Sequence, residues 1–333
     1  WDNVTKDANG IPVLTKVARG PAQANLSQSS DDELSNMLEG ILSYDHKFGG
    51  HSITFLAGVQ KETSNASYFG ASRKYFASTA IDELSWGGNT EIGNSGGAWE
   101  RARLNYFGRV GYNYKEKYLM EFLWREDGSY MFPQNHRFGF FPGISAGWRI
   151  SEEGFFKNNV PFFQNLKLRA SWGQVGNDQV NRPNSNTLAE YSYLPLYNTN
   201  TYIINGAPTQ TLTEGTAPNP NFTWETANIS DAALEGTILN GRLDFLLEAF
   251  YNVRTNILWA NTASVPASAI PGGLLPPVNY GKVTNRGVEF QFNWHDKIGE
   301  VRYNIGVNGS YIKNRIDKWD EAPGAPSYQR STG

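Results

Sequence analysis

Apolar and polar residues alternate one by one along several stretches of this chain, the period a half-buried strand requires and a helix cannot use. From Val301 to Tyr311 one face reads Val301, Tyr303, Ile305, Val307, Gly309 and Tyr311; the other reads Arg302, Asn304, Gly306, Asn308 and Ser310. The stretch before it sets Val288, Phe290, Phe292 and Trp294 against Glu289, Gln291, Asn293 and His295. Leu243, Phe245, Leu247, Ala249 and Tyr251 oppose Asp244, Glu248 and Asn252, with Leu246 and Phe250 as exceptions. Leu166 to Gly173 and Arg103 to Tyr114 alternate in the same way. About ten strands follow, at 35–45, 52–62, 100–114, 118–128, 140–150, 165–175, 223–235, 242–254, 284–295 and 301–313. Each approaches the roughly 9–11 residues that a tilted strand needs to cross a hydrocarbon layer.

The connections between these strands alternate in length. His46–Gly50, Lys115–Lys117, Ile238–Gly241 and Lys297–Glu300 are short, and Ser151–Gln164 is moderate. Thr63–Trp99, Gly176–Phe222 and Thr255–Val283 are long, with a shorter Ser129–Gly139 at the same end. Outer-membrane barrels segregate loops in this way, with short periplasmic turns and long extracellular loops. The pattern therefore predicts an all-β fold, an antiparallel transmembrane β-barrel. Its long loops, with the polar flanks 1–31 and 314–333, lie outside the cell. A soluble sandwich of two sheets remains open at this point, because a strand's apolar face does not reveal whether it meets lipid or protein.

Composition narrows the picture. Aromatic residues make up 14% of the 333 residues, which favours strands and interfacial girdles. Tyr112, Tyr114 and Tyr118, Phe140 and Phe141, Phe155, Phe156, Phe162 and Phe163, and Trp294 gather at strand ends. A mean hydropathy of −0.50 is compatible with a membrane barrel, in which only alternate residues face lipid. The net charge of −3 provides no basic field for nucleic acid. No cysteine is present, so disulfides and thiolate metal sites are excluded. The chain opens Trp1-Asp2-Asn3, unlike a secretory leader, and is read as lacking its front.

Candidate chemistry is sparse. His46, His51, His136 and His295 are scattered without metal-ligand spacing, and no glycine cluster continues into the Gly-Lys-Ser/Thr of a phosphate loop. Glu152 and Glu153 are adjacent, so on extended chain their side chains diverge and do not form an acid–base pair. No catalytic, cofactor or metal residue is assigned. The long loops carry Tyr68, Tyr75, Phe76, Trp86 and Trp99, then Tyr191, Tyr193, Tyr197 and Tyr202. Packing within folded loops explains most such rings; a docking surface is the functional alternative, with Trp86, Trp99 and Tyr193 as its expected anchors.

Several motifs, taken together, point further. Trp124 to Phe155 reads WREDGSYMFPQNHRFGFFPGISAGWRISEEGF; Leu166 to Asn177 reads LKLRASWGQVGN. Asn219-Pro220 with Trp224-Glu225, Tyr251-Asn252 with Thr255, and Asn279-Tyr280-Gly281 with Asn285-Arg286-Gly287 and Glu289 follow in order. Over roughly residues 35–318 this series resembles the SusC/RagA-like branch of TonB-dependent outer-membrane transporters, departing at Gly143, where the family more often has Ser. The residues also have plain readings. Gly128, Gly139 and Gly281 are expected at positive φ beside turns, and Pro142 at the start of a strand. Arg125, Asp127, Arg137 and Arg149 are expected to pair along the inner wall near the outer rim.

The resemblance implies a 22-stranded barrel, of which this chain supplies about ten strands, with the N-terminal plug and remaining strands absent from it. It also implies energised import of an oligosaccharide or peptide, with no bond broken. The implied partners are a SusD-like surface lipoprotein lid, the TonB complex acting through the missing N-terminal region, and outer-membrane lipid. A passive porin or structural barrel and a soluble β-rich carbohydrate-binding domain are the alternatives.

Overall fold

The computed structural model describes residues 4–6, 9, 12–14, 23–78, 80–182, 186–260, 263 and 275–333. Two short antiparallel pairs stand apart from the main sheet: β1 (Val4–Lys6) with β2 (Pro12–Leu14), and β9 (Tyr197–Ile204) with β10 (Ala207–Glu214). The other strands are β3 (Asn25–Phe48), β4 (His51–Lys74), β5 (Gly93–Tyr114), β6 (Tyr118–Ser129), β7 (Phe138–Arg149), β8 (Phe163–Asn177), β11 (Glu225–Ile238), β12 (Leu243–Ala260), β13 (Pro277–Ile298) and β14 (Val301–Lys318). They form one ten-stranded sheet in the order β14-β13-β12-β11-β8-β7-β6-β5-β4-β3. Only the β9–β10 insertion separates neighbours in sequence, as expected of an up-and-down wall. The chain divides into two compact units, residues 1–36 with 62–101, and residues 37–61 with 102–333.

The cross-strand register explains the alternation. One row runs Tyr112, Met120, Ala146, Ala170, Ala232, Ala249, Val288 and Tyr311 across eight strands. The next row on that face runs Tyr114, Tyr118, Trp148, Leu168, Leu234, Leu247, Phe290 and Gly309. Between them, on the opposite face, lie Asn113, Leu119, Gly147, Arg169, Ala233, Glu248, Glu289 and Ser310. A one-residue slip would exchange these faces, so burial of the apolar rows fixes the register.

All ten expected sheet strands are present, and several are longer than the alternation indicated. β4 runs to Lys74 and β5 starts at Gly93, so the connection expected over 63–99 shrinks to 75–92. Tyr68 and Trp99 therefore lie in strands. A strand of 24 residues rises roughly 80 Å. Crossing a hydrocarbon layer needs only about 9–11 of those residues, so the remainder needs no apolar face while backbone pairing continues. The connection expected at 255–283 likewise shortens to 261–276, of which 261, 262 and 264–274 lie outside the described residues.

Other expectations need correction. Gly128, Gly139 and Gly281 do not have positive φ, which falls instead on turn glycines such as Gly49, Gly241 and Gly299. Gly128 is required by close approach: a Cβ there would meet the Phe138 ring at 2.5 Å and the Leu104 carbonyl at 2.9 Å. Pro142 lies inside β7, not at its start. It is tolerated because pairing to β8 begins only at Gly143, leaving no ladder hydrogen bond for Pro142 to lose on that side. Arg125 pairs with Asp127 at 2.8 Å, whereas Arg149 sits at the short-turn end, 3.7 Å from Glu116.

Candidate functional site

The polar face carries a connected charge cluster. The Arg169 guanidinium donates to Asp231 at 2.7 Å and to Glu248 at 2.5 Å, and lies 3.8 Å from Glu235. Lys167 meets the same Glu235 at 2.7 Å. Five side chains from β8, β11 and β12 thus form one network centred on Arg169 and Glu235, satisfying charges on a half-buried wall. Beside them Ser52, Thr54, Gly111, Ser145, Gly147 and Ser171 line a shallow recess of about 570 Å³. Small side chains on neighbouring strands create that depth.

At the long-connection end, the loops of the second unit build a core of their own. Phe132, Phe222 and Met131 are fully buried, joined by Phe141, Val180, Ala189, Trp224 and Leu258. Phe132 lies 5.2 Å from Phe222 and 4.7 Å from Trp224, ring centre to ring centre. Polar staples surround it. Asp178 accepts from Ser129 and Arg103, both at 2.7 Å. Asn279 accepts from the Thr223 amide and donates to the Thr223 carbonyl, while Asn219 donates to the Pro277 carbonyl. The asparagines of two sequence motifs thus lock the loop between β8 and β11 onto the start of β13. Asp178 had no local signal, because Arg103 is 75 residues away in sequence.

The three expected anchors occupy different environments. Trp86, in the 3-10 turn Leu84–Trp86, is 63% exposed and available for contact. Trp99 is half-buried in β5, with the Arg101 guanidinium 3.9 Å above its ring. Tyr193 packs against the loop core, 6.4 Å from the Tyr191 ring. Trp86 and Trp99 belong to the first unit and Tyr193 to the second. The β9–β10 hairpin was also missed by sequence reasoning. It exposes Tyr197, Tyr202, Ile203 and Leu212. Its signal was Asn205-Gly206, both at positive φ in the structure, the dipeptide that two-residue hairpin turns prefer.

At the short-turn end Glu153 is the hub of a knot. It accepts from the Tyr118 hydroxyl at 2.6 Å, Lys117 at 3.1 Å and the Trp148 indole at 3.2 Å. Those three donors, the Tyr118 hydroxyl foremost, hold its carboxyl below the usual glutamate range. A depressed carboxylate contributes stability above its unfolded pKa and loses it as pH falls through the folded value. Glu153→Gln should lower the temperature at which the folded barrel is lost at neutral pH. The gap from the native chain should close in acid, below the ordinary glutamate range. Unfolding midpoints by heat-modifiable gel mobility across pH test this, and a gap that stays constant into acid refutes it.

The family described as TonB dependent receptor-like, beta-barrel matches residues 5–332. TonB-dependent receptor P26 of Formosa agariphila is 39% identical over 189 residues, covering 57% of this chain and 18% of that protein. TonB-dependent receptor SusC of Bacteroides thetaiotaomicron is 30% identical over 217 residues, covering 63% of this chain and 20% of that protein. In structure, the RagAB peptide importer in its closed-closed state superimposes with a TM-score of 0.76 at 22% identity, over 90% of this chain and 32% of that one. The chain thus spans under a third of the length of each of these relatives. The family comprises receptors and transporters, not enzymes. With two segregated faces, one polar and one apolar, on a wall of antiparallel strands, the chain belongs to the TonB-dependent receptor β-barrel family of the outer membrane, and within it is SusC/RagA-like.

Proposed function

We propose that the chain is one side of the barrel of an energised importer that carries an oligosaccharide or a peptide inward with a SusD-like surface lipoprotein as lid. The observation that carries this reading is the polar face with its Arg169 cluster, backed by a face of apolar rows, in a chain of the TonB-dependent receptor family. On this reading the apolar face meets lipid and the polar face lines the transport path. β3 and β14 each pair with one strand among the described residues, and an unpaired edge is not tolerated in hydrocarbon. Further strands therefore close the wall in the working protein. The folded long loops, with Trp86 as the most exposed of the three rings, present the surface for lid or cargo.

The test uses the whole protein in cells. Uptake of its cargo should stop when TonB is removed, with the barrel still correctly inserted; TonB-independent uptake would favour a passive porin. Replacing Trp86, Trp99 and Tyr193 together by Ala should weaken lid co-purification or uptake, each contact contributing about 2 kcal/mol. If the inserted triple variant keeps both lid and uptake, the rings are packing residues only.

A further inference from the structure

At the short-turn end of the second unit, aromatic rings stack into a continuous ladder. Ring centres run from Tyr44 to His46 at 6.0 Å, His46 to Phe48 at 5.7 Å, and Phe48 to His51 at 5.1 Å. The ladder continues from His51 to Tyr114 at 4.6 Å and from Tyr114 to Tyr118 at 6.3 Å. Tyr114 and Tyr118 begin the apolar row that runs through Trp148 and Leu168 to Phe290, so on the reading proposed above, on which this inference rests, the ladder lies on the face turned toward lipid. Short turns mark the periplasmic end of an outer-membrane barrel, and rings of this kind prefer the level of the headgroups.

Two nitrogen groups flank the Tyr114 ring. The Lys115 ammonium lies 5.2 Å from its centre, and the His51 imidazole packs against it at a tilt of 39°. Both are held in place. The Lys115 amide donates to the Gly50 carbonyl at 2.6 Å, and its alkyl stem lies over Gly50, where a Cβ would meet it at 2.7 Å. His51 Nδ1 is bonded to the Tyr112 hydroxyl at 2.7 Å, which leaves Nε2 free to turn to another group. No carboxylate pairs with Lys115 among the described residues. Its acidic neighbours are otherwise engaged, Glu116 facing Arg149 and Glu153 facing Lys117. A cation without a counter-ion among the described residues, a ring nitrogen and a hydroxyl thus converge beside an apolar face.

We propose that His51 and Lys115, bracketing Tyr114, seat the phosphodiester of one anionic glycerophospholipid of the periplasmic leaflet, with its glycerol and acyl chains lying along the aromatic ladder. The occupant is a lipid, not free phosphate, because the surface continuing from the seat is apolar. Charge complementarity selects an anionic headgroup over a zwitterionic one, since the seat holds a cation that no carboxylate among the described residues neutralises.

The purified full-length protein, reconstituted with mixed phosphatidylglycerol and phosphatidylcholine, is analysed by native mass spectrometry, counting lipids retained per protein. The native chain should retain one phosphatidylglycerol that Lys115→Gln holds about fivefold less well. Glutamine keeps most of the stem over Gly50 while removing the charge. Lys115→Arg should restore retention, and His51→Ala should weaken it. Lys157→Ala, another lysine at this end, should have no effect. Equal retention by the native chain and Lys115→Gln overturns the proposal, as does an equal loss in Lys157→Ala or equal retention of phosphatidylcholine. Heat-modifiable mobility confirms that each variant is folded, and His51→Ala with Lys115→Arg keeps the test decisive if one variant is not. The measurement involves no transport, so its failure is distinguishable from failure of the importer reading.

Discussion

Replacing Phe132 by Ala should loosen the outer loops while leaving the strand wall folded. Phe132 is fully buried at the centre of the loop core, against Phe222 and Trp224. Truncating a buried phenylalanine removes its transfer energy and leaves a cavity, together about 3–5 kcal/mol. That exceeds what any single staple around the core supplies, since one hydrogen bond to a charged group contributes only about 1.5–3 kcal/mol. The cost should fall on local opening, because the strands below keep their own ladders. Limited proteolysis should cut the connections 130–137 and 178–224 much faster in the variant, while the band of folded barrel persists on unheated gels. Protease resistance equal to that of the native chain would mean that the core does not hold the loops. The result bears on function, since a docking surface built on these loops is only as ordered as the core beneath it.

The second large effect concerns the two faces. Phe290 lies in the apolar row with Leu247 and Leu168, eight residues from the end of β13 at Ile298. An arginine there should cost about 2–4 kcal/mol. Phe245 points to the same face one row nearer the short turns, its pair with Phe292 lying beside the Leu247–Phe290 pair, so an arginine there should carry a cost of the same order. Gln291 is exposed on the polar face opposite Leu246 and Asn308, and should accept arginine with little loss. Asp244 is a poorer control than the alternation suggested. It accepts from Thr237 at 2.7 Å and pairs with His295 at 2.8 Å, so a charge reversal there breaks two contacts. Folding yields into liposomes should rank Gln291→Arg above both Phe245→Arg and Phe290→Arg. Equal yields for the arginines at 290 and 291 would sink the assignment of faces. Phe290→Leu separates lost ring packing over Gly309 from the cost of charge.

Alternation of Val288 to His295 and of Val301 to Tyr311, and the switching of short with long connections, were enough to place ten antiparallel strands and choose which residues share a face. That information is local, because a strand's face is decided by its own residues two at a time. The motif from Trp124 to Phe155 named the family for the same reason: its residues are close in sequence. Three things were decided only in the tertiary structure. The outer reaches of β3, β4 and β5 keep pairing beyond the length a crossing needs, so no apolar period records them. Gly128 is glycine because the Phe138 ring and the Leu104 carbonyl approach it, and neither contact is written at Gly128 itself. Asp178 finds Arg103, and Asn279 finds Thr223, across 75 and 56 residues of chain. Contacts of that span exist only once the wall has brought strand ends together. The loop core and the aromatic ladder at the short turns therefore belong to the fold and not to any one stretch of sequence.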